Sequence, residues 1–288
     1  MKLARISATD QPHIAIVVDG ELVDLTECVG PELNTLPKFL ALGSQRAAIV
    51  RRCLNSAPRI PLASANLLAP IGSPEKILGV GMNYRSFVAA AQRAGIPLST
   101  ERTWFYRPRS CIAGPYEDLW LPRGARDLDY EAELAVVIGR PCRYVPRAKA
   151  SEVVAGYMAA NDATLRARVV KSLVFGKSFD THTPVGPWLV SADEIADPQD
   201  LAIRSWVNGE IRQQSRTSDM IGTCCELVAE ISEVCTLKPG DIILSGTPGG
   251  SGVFHNPPVG LGPGDVVRIE IERIGAIENR VVAEPESA

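Results

Sequence analysis

The chain has 288 residues, 45% of them hydrophobic and 22% charged, with a formal net charge of −3. These values suit a globular protein with a sizeable core, and 24 Gly with 22 Pro make it turn-rich, which excludes helical bundles and coiled coils. No Lys/Arg run builds a nucleic-acid footprint, and no apolar stretch approaches the roughly 18 residues that would suggest a membrane span. The N-terminus lacks the apolar segment of a secretory signal, and seven cysteines without a C-x-x-C argue against a disulfide framework or structural zinc. The expected setting is therefore the cytoplasm, with reduced thiols.

Residues 1–70 read as a small separate α/β unit. Segments 5–6, 13–18 and 21–25 predict strands, with Asp19-Gly20 as a hairpin turn. Residues 35–55 carry helical periodicity, and 70–76 reads as a linker into a second domain, 71–288. There, 77–80 predicts a short strand and 84–94 a helix stopped by Gly95 and Pro97. Residues 128–138 predict one long strand whose second half is apolar enough to be buried on both faces. A helix is expected over 148–158, and strands over 200–207, 242–244 and 266–274. Between the last two, residues 239–264 hold 8 Gly and 5 Pro in 26 positions. Two Pro-Gly-Asp turns, each before an apolar run, predict an ordered, loop-rich wall. The sum is a mixed, β-rich α+β fold.

Four short segments could carry chemistry. In Asp129-Tyr-Glu131-Ala-Glu133, a strand would place the three carboxylates on one side. Such a row calls for a hard divalent counter-ion, or it is a solvated edge with acidic gatekeepers. Asn161-Asp162 is a turn, an N-cap, or a third carboxylate for an oxygen-only set suited to Mg²⁺, Mn²⁺ or Ca²⁺. The segment Gly176-Lys177-Ser178 lacks the upstream glycine of a phosphate-binding loop, since position 171 is Lys171. Lys177 is then a surface ion-pair partner or a stabiliser of an oxyanion or enolate. Ser245-Gly-Thr247-Pro-Gly-Gly250 is an anion-binding turn or simply a tight one.

Taken together, these segments resemble the fumarylacetoacetate hydrolase family. The matching stretches are PEKILGVGMNY, LDYEAELAVVIG, VAGYMAANDATLR, GKSFDTHTPVGPWLV, LKPGDIILSGTPGGSG and LGPGDVVRIEIERIG, within residues 70–283. The resemblance implies a mixed β-sandwich roll, a homodimer, and a small variable N-terminal domain. It implies that Glu131, Glu133 and Asp162 ligate Mg²⁺ or Mn²⁺ and that Lys177 polarises the substrate or stabilises its enolate. Tyr84, Phe87, Arg107, Arg166, Thr181 and Thr247 fall at positions expected on the substrate side. The implied substrates are small oxo acids, and the implied reaction is hydrolysis of a C–C bond in an acylpyruvate-like or β-diketo acid, as in aromatic catabolism.

One departure bears on that reaction. Where the family pattern has a His–Glu dyad that activates water on a lid, this chain has Phe87 and Ala90, and neither can move a proton. Arg107 replaces a lysine of the pattern, and Val169 a glutamine found in some members. The expectations are therefore hydrolysis with another base (His182, His255 or a metal-bound water), decarboxylation or keto–enol tautomerisation without one, or metal-dependent binding without catalysis.

Overall fold

The structure, a computed structural model, describes residues 1–8, 11–30, 33–99 and 101–286. Its framework is a large mixed sheet. Across it run strands Arg59–Pro61, Glu21–Asp24, His13–Val18, Lys2–Ile6, Thr183–Ser191, Val154–Asn161, Ala132–Ile138, Ile242–Leu244, Ile77–Gly81 and Thr103–Arg107. A second, five-stranded sheet packs against it, with Glu210–Arg216, Ala202–Val207, Val266–Ile271, Gly275–Ala283 and Leu119–Leu121 in that order. The architecture is α+β, with the two sheets face to face.

The strand Ala132–Ile138 is fully buried, as its unbroken apolar run predicts. Leu134, Val136 and Ile138 face one core shared with Ile203, Val267, Ile269 and Ile277 of the second sheet. Ala135 and Val137 face a second core, closed by Leu36, Phe39 and Leu40 from the N-terminal helices. At about 25 cal/mol per Å² of apolar area removed from water, these two cores supply most of the drive to fold. They also fix the strand that carries the acidic residues.

Several expectations are corrected. The N-terminal strands do not form a sheet of their own, because Lys2–Ile6 pairs with Thr183–Ser191 (Lys2 opposite Val190, Leu3 opposite Leu189). Residues 70–76 are not a free linker: Ile71 is fully buried, and the Lys76 amide and ammonium both bond to Asp241. The helix expected over 35–55 is two, Leu36–Ala41 and Arg46–Ser56, parted near Gly43, whose φ of +57° no helix accommodates. The helix expected over 148–158 is a 3₁₀ segment, Arg147–Val153, followed by strand Val154–Asn161. Gly156 explains the strand: a Cβ there would lie 2.0 Å from the Val190 carbonyl, so only glycine permits that pairing. The periodicity also left unread the helix Cys224–Val234, although its capping box, Thr223 with Glu226, is a legible start signal.

Candidate active site

The acidic row is broken where its chemistry sits. The expected strand 128–138 is a two-residue bridge, Leu128–Asp129, and then Ala132–Ile138, with Tyr130 and Glu131 outside both. The interruption is held by side chains: the Glu131 amide donates to Asn161 Oδ1 (3.0 Å) and the Ala132 amide to Gln213 Oε1 (3.0 Å). Period-two alternation is lost, so the three carboxylates do not share a face. Asp129 turns away and accepts from the amides of Tyr130 (2.9 Å), Gly252 (2.7 Å) and Val253 (3.1 Å).

Glu131 and Glu133 meet Asp162, which follows the partner strand; Ala132 is paired with Asn161, and the Asp162 amide donates to the Glu131 carbonyl at 2.9 Å. Asn161-Asp162 is thus neither a solvent turn nor an N-cap. Carboxylate oxygens of Glu131, Glu133 and Asp162 lie within 4.8 Å of one another, and all three residues are buried.

Three cations border this trio. Lys177 ends the short helix Leu173–Lys177, and its Nζ donates to Glu131 Oε2 (2.8 Å), Thr164 Oγ1 (2.7 Å) and Asp162. Arg166 forks between Asp129 Oδ2 (2.8 Å) and Glu131 Oε1 (2.5 Å). Arg107 is fully buried behind Asp162, bonding its Oδ1 and the carbonyls of His182 (2.9 Å) and Ala163 (3.2 Å).

The charges do not balance locally. Burial alone would raise Glu131, but the Lys177 ammonium and the Arg166 guanidinium overcome it and hold this carboxyl at about 2. Glu133 is pushed well above the usual carboxylate range, first by burial and then by the charges of Asp162 and Glu131. Among the described residues, the Gly246 amide, 2.7 Å from Oε2, is the one hydrogen-bond partner it has. With Asp129, four buried carboxylates face three cations, and among the described residues Glu133 pairs with none of them; such a set of oxygen donors fits a hard dication.

The trio forms the floor of a cavity of about 750 Å³. Phe87, Arg166, Val169, Lys177 and Thr247 line it. Thr247 Oγ1 accepts from Gln213 Nε2 (2.8 Å), which leaves its own proton available. Among the described residues lining the cavity, the ionisable ones are Glu131, Glu133, Asp162, Arg166 and Lys177, all at the floor.

Other expected residues lie elsewhere. Tyr84 is wholly buried, and Thr181, at φ +64°, accepts from the Trp120 amide (2.8 Å); neither lines the cavity, nor does Arg107. His182 is buried with Nε2 at 2.9 Å from the Trp120 carbonyl, and burial pushes its imidazole down to about 3. His255 lines a neighbouring groove. Sequence reading missed Gln213 and Phe254. The first lies in the polar strand Glu210–Arg216, where nothing marks it as buried; the second lies in an aperiodic loop.

Residues 76–282 match the family model described as Fumarylacetoacetate (FAA) hydrolase C-terminal. The chain is 40% identical over 278 residues to the mitochondrial oxaloacetate tautomerase FAHD2A of Bos taurus, covering 94% of this chain and 88% of that one. It is likewise 40% identical over 292 residues to the maleylpyruvate hydrolase of Aquipseudomonas alcaligenes, covering 96% and 98%. Among solved structures, maleylpyruvate hydrolase from Sphingobium sp. SYK-6, in complex with manganese(II) ion and pyruvate, superposes with a TM-score of 0.84. That pair is 33% identical, with 99% of this chain and 100% of that one covered. No helix among the described residues is long and apolar enough to cross a membrane.

Proposed function

The chain belongs to the fumarylacetoacetate hydrolase family, and from that premise we propose that it is a divalent-metal-dependent enzyme interconverting the keto and enol forms of a small 2-oxo acid. The observation that carries this reading is the distribution of ionisable groups. All those lining the cavity among the described residues sit at the floor, and Phe87 stands where a water-activating base would hang. Tautomerisation needs no activated water. It moves one proton from the carbon beside the oxo group to the oxo oxygen, or back.

Glu131, Glu133 and Asp162 would hold Mg²⁺ or Mn²⁺, as the manganese and pyruvate complex of the Sphingobium relative supports. The ion, when bound, supplies Lewis-acid polarisation of adjacent substrate oxygens. The remaining work falls to the chain. Lys177 lines the cavity beside the trio, and one of its three N–H groups, here spent on Glu131, Asp162 and Thr164, would turn to the oxygen that becomes negative and hold the migrating proton there. Arg166 keeps Glu131 ionised and fixed. Thr247, oriented by Gln213, offers its hydroxyl proton to the substrate carboxylate. The aromatic pair Phe87–Phe254 excludes water above them.

A second reading, C–C bond hydrolysis, is favoured by the identity with a maleylpyruvate hydrolase. Of the bases it could use, His182 is neutral and turned toward Trp120 and His255 lies in the neighbouring groove, which leaves a metal-bound water.

The readings separate in one assay set with Mg²⁺. Tautomerisation accelerates loss of the enol absorbance of fresh oxaloacetate and leaves acetylpyruvate uncut. Cleavage of acetylpyruvate to two acids, with enol decay unchanged, overturns the proposal in favour of hydrolysis, and CO₂ release would mark decarboxylation. Phe87→His with Ala90→Glu is then expected to confer acetylpyruvate cleavage, about tenfold or more above the parent.

A further inference from the structure

The cavity has a charged floor, but most of its lining is of another kind. At about 750 Å³ it has the volume of a site for a drug-sized ligand, whereas a pyruvate unit engages only the floor. The rest is a mostly apolar wall, with hydroxyls at Ser99 and Thr103, drawn from several elements, the strands Ile77–Gly81 and Thr103–Arg107 among them. Helix Arg85–Arg93 supplies Phe87, the short helices after residue 165 supply Val169 and Leu173, and the loop beyond Ser251 supplies Val253 and Phe254. Phe87 and Phe254 meet edge to face, centroids 5.0 Å apart at 78°.

Resting on the function proposed above, we infer that the substrate is a 2-oxo acid whose end remote from the oxo group is apolar, an aryl or alkyl group, rather than a dicarboxylate. The cations decide the matter. Both that line the cavity are committed to the floor: Arg166 to Asp129 and Glu131, Lys177 to Glu131 and Asp162. Arg102, beside the neighbouring depression that shares Met82 and Leu98, is engaged by Glu230 at 2.5 Å. Arg93 and His255 line the groove that shares Val253 and Phe254 with this cavity but do not line the cavity itself. A second carboxylate laid against the wall would surrender its water mostly to phenyl and alkyl groups and find no cation there, only the hydroxyls of Ser99 and Thr103. An apolar end laid there gains what the carboxylate loses. This sets the chain apart from relatives named for oxaloacetate and maleylpyruvate.

The test compares ketonisation of enol-phenylpyruvate and enol-oxaloacetate with Mg²⁺, alongside saturation transfer from the protein to the phenyl protons. The expected result is a kcat/KM about tenfold or more higher for phenylpyruvate, carried by KM, together with strong saturation of the ring. A preference for oxaloacetate, or none, overturns the inference while sustaining the tautomerase reading. Strong ring saturation with neither enol consumed faster than in the metal control overturns that reading and sustains the apolar subsite; no saturation and no turnover overturns both. Phe87→Arg, on a half-exposed helix position, is expected to shift the ratio at least about tenfold toward oxaloacetate. Phe254→Arg serves as the second variant, and an unchanged ratio in both folded proteins overturns the placement of the apolar end against this wall.

Discussion

The floor and the wall of the cavity are built on opposite terms. The floor gathers at the ends of strands of the large sheet packed on both faces, with Lys177 and Arg166 brought in from short helices, and its charged groups are bound by partners from distant segments. The wall draws largely on a helix and loops, touches its neighbours through mostly apolar surface, and is partly open to solvent. Chemistry therefore sits where nothing can shift without leaving a buried charge unpaired. Selectivity sits where one side chain can be exchanged for another at small cost to the fold.

The largest effect that would break this contrast is expected at the floor. Glu131→Ala removes a carboxylate from the trio and leaves Lys177 and Arg166 each short of a partner. Mn²⁺ affinity measured by calorimetry is expected to fall by more than about 100-fold, with activity lost. Turnover that persists without metal would refute the assignment of the trio.

Lys177→Met comes next. The kcat for enol conversion is expected to drop by about 10²- to 10⁴-fold, as for loss of a proton-handling group. Mn²⁺ binding is expected to be kept or tightened, because one cation that competes for Glu131 and Asp162 is gone. Weaker metal binding with kcat unchanged would make Lys177 a structural residue.

The smallest effect is a pH dependence of the metal-free protein. Glu133 is pushed well above the usual carboxylate range by burial and by its acidic neighbours. In the window above the unfolded value of about 4.3, the native state holds a proton that the unfolded chain releases. The Glu133 contribution to stability therefore falls as pH rises through that window. Glu131, held at about 2, acts in the opposite sense, but only below that window, and His182, pushed down to about 3, opposes Glu133 up to the unfolded imidazole value of about 6.5. Thermal melts at about pH 7 and pH 8, above that value, are expected to differ by a few degrees without metal. Mn²⁺ takes the place of the Glu133 proton, so its stabilisation is expected to be larger at the higher pH. Glu133→Gln should flatten the metal-free dependence, and a metal-free Tm that rises between those two pH values would contradict this account.

Much of the floor could be read from the chain because several of its segments together resemble one family, although each alone was ambiguous. Glu131, Glu133, Asp162 and Lys177 lie in short segments whose order and spacing resemble one family, and the apolar run after Glu133 foretells a strand buried on both faces. Two of the wrong readings share one cause. Periodicity assumes a regular element, and here the element breaks: at Tyr130-Glu131 two side-chain bonds replace the ladder, and at Gly156 a close strand approach overrides helical spacing. Arg107 and Thr181 were placed beside the substrate by their segments, yet the fold puts one behind Asp162 and the other on the Trp120 amide.

Composition and the pattern of elements thus sufficed for the α+β class, and the resemblance of its segments to one family pointed to the acidic trio, because both rest on local stretches of the chain. Which carboxylate is starved of charge, which cations are already spent, and that Phe87 and Phe254 close one wall from positions far apart in the chain arise only when the strands pair. Those are properties of proximity, and proximity comes from the packing of two cores around one buried strand.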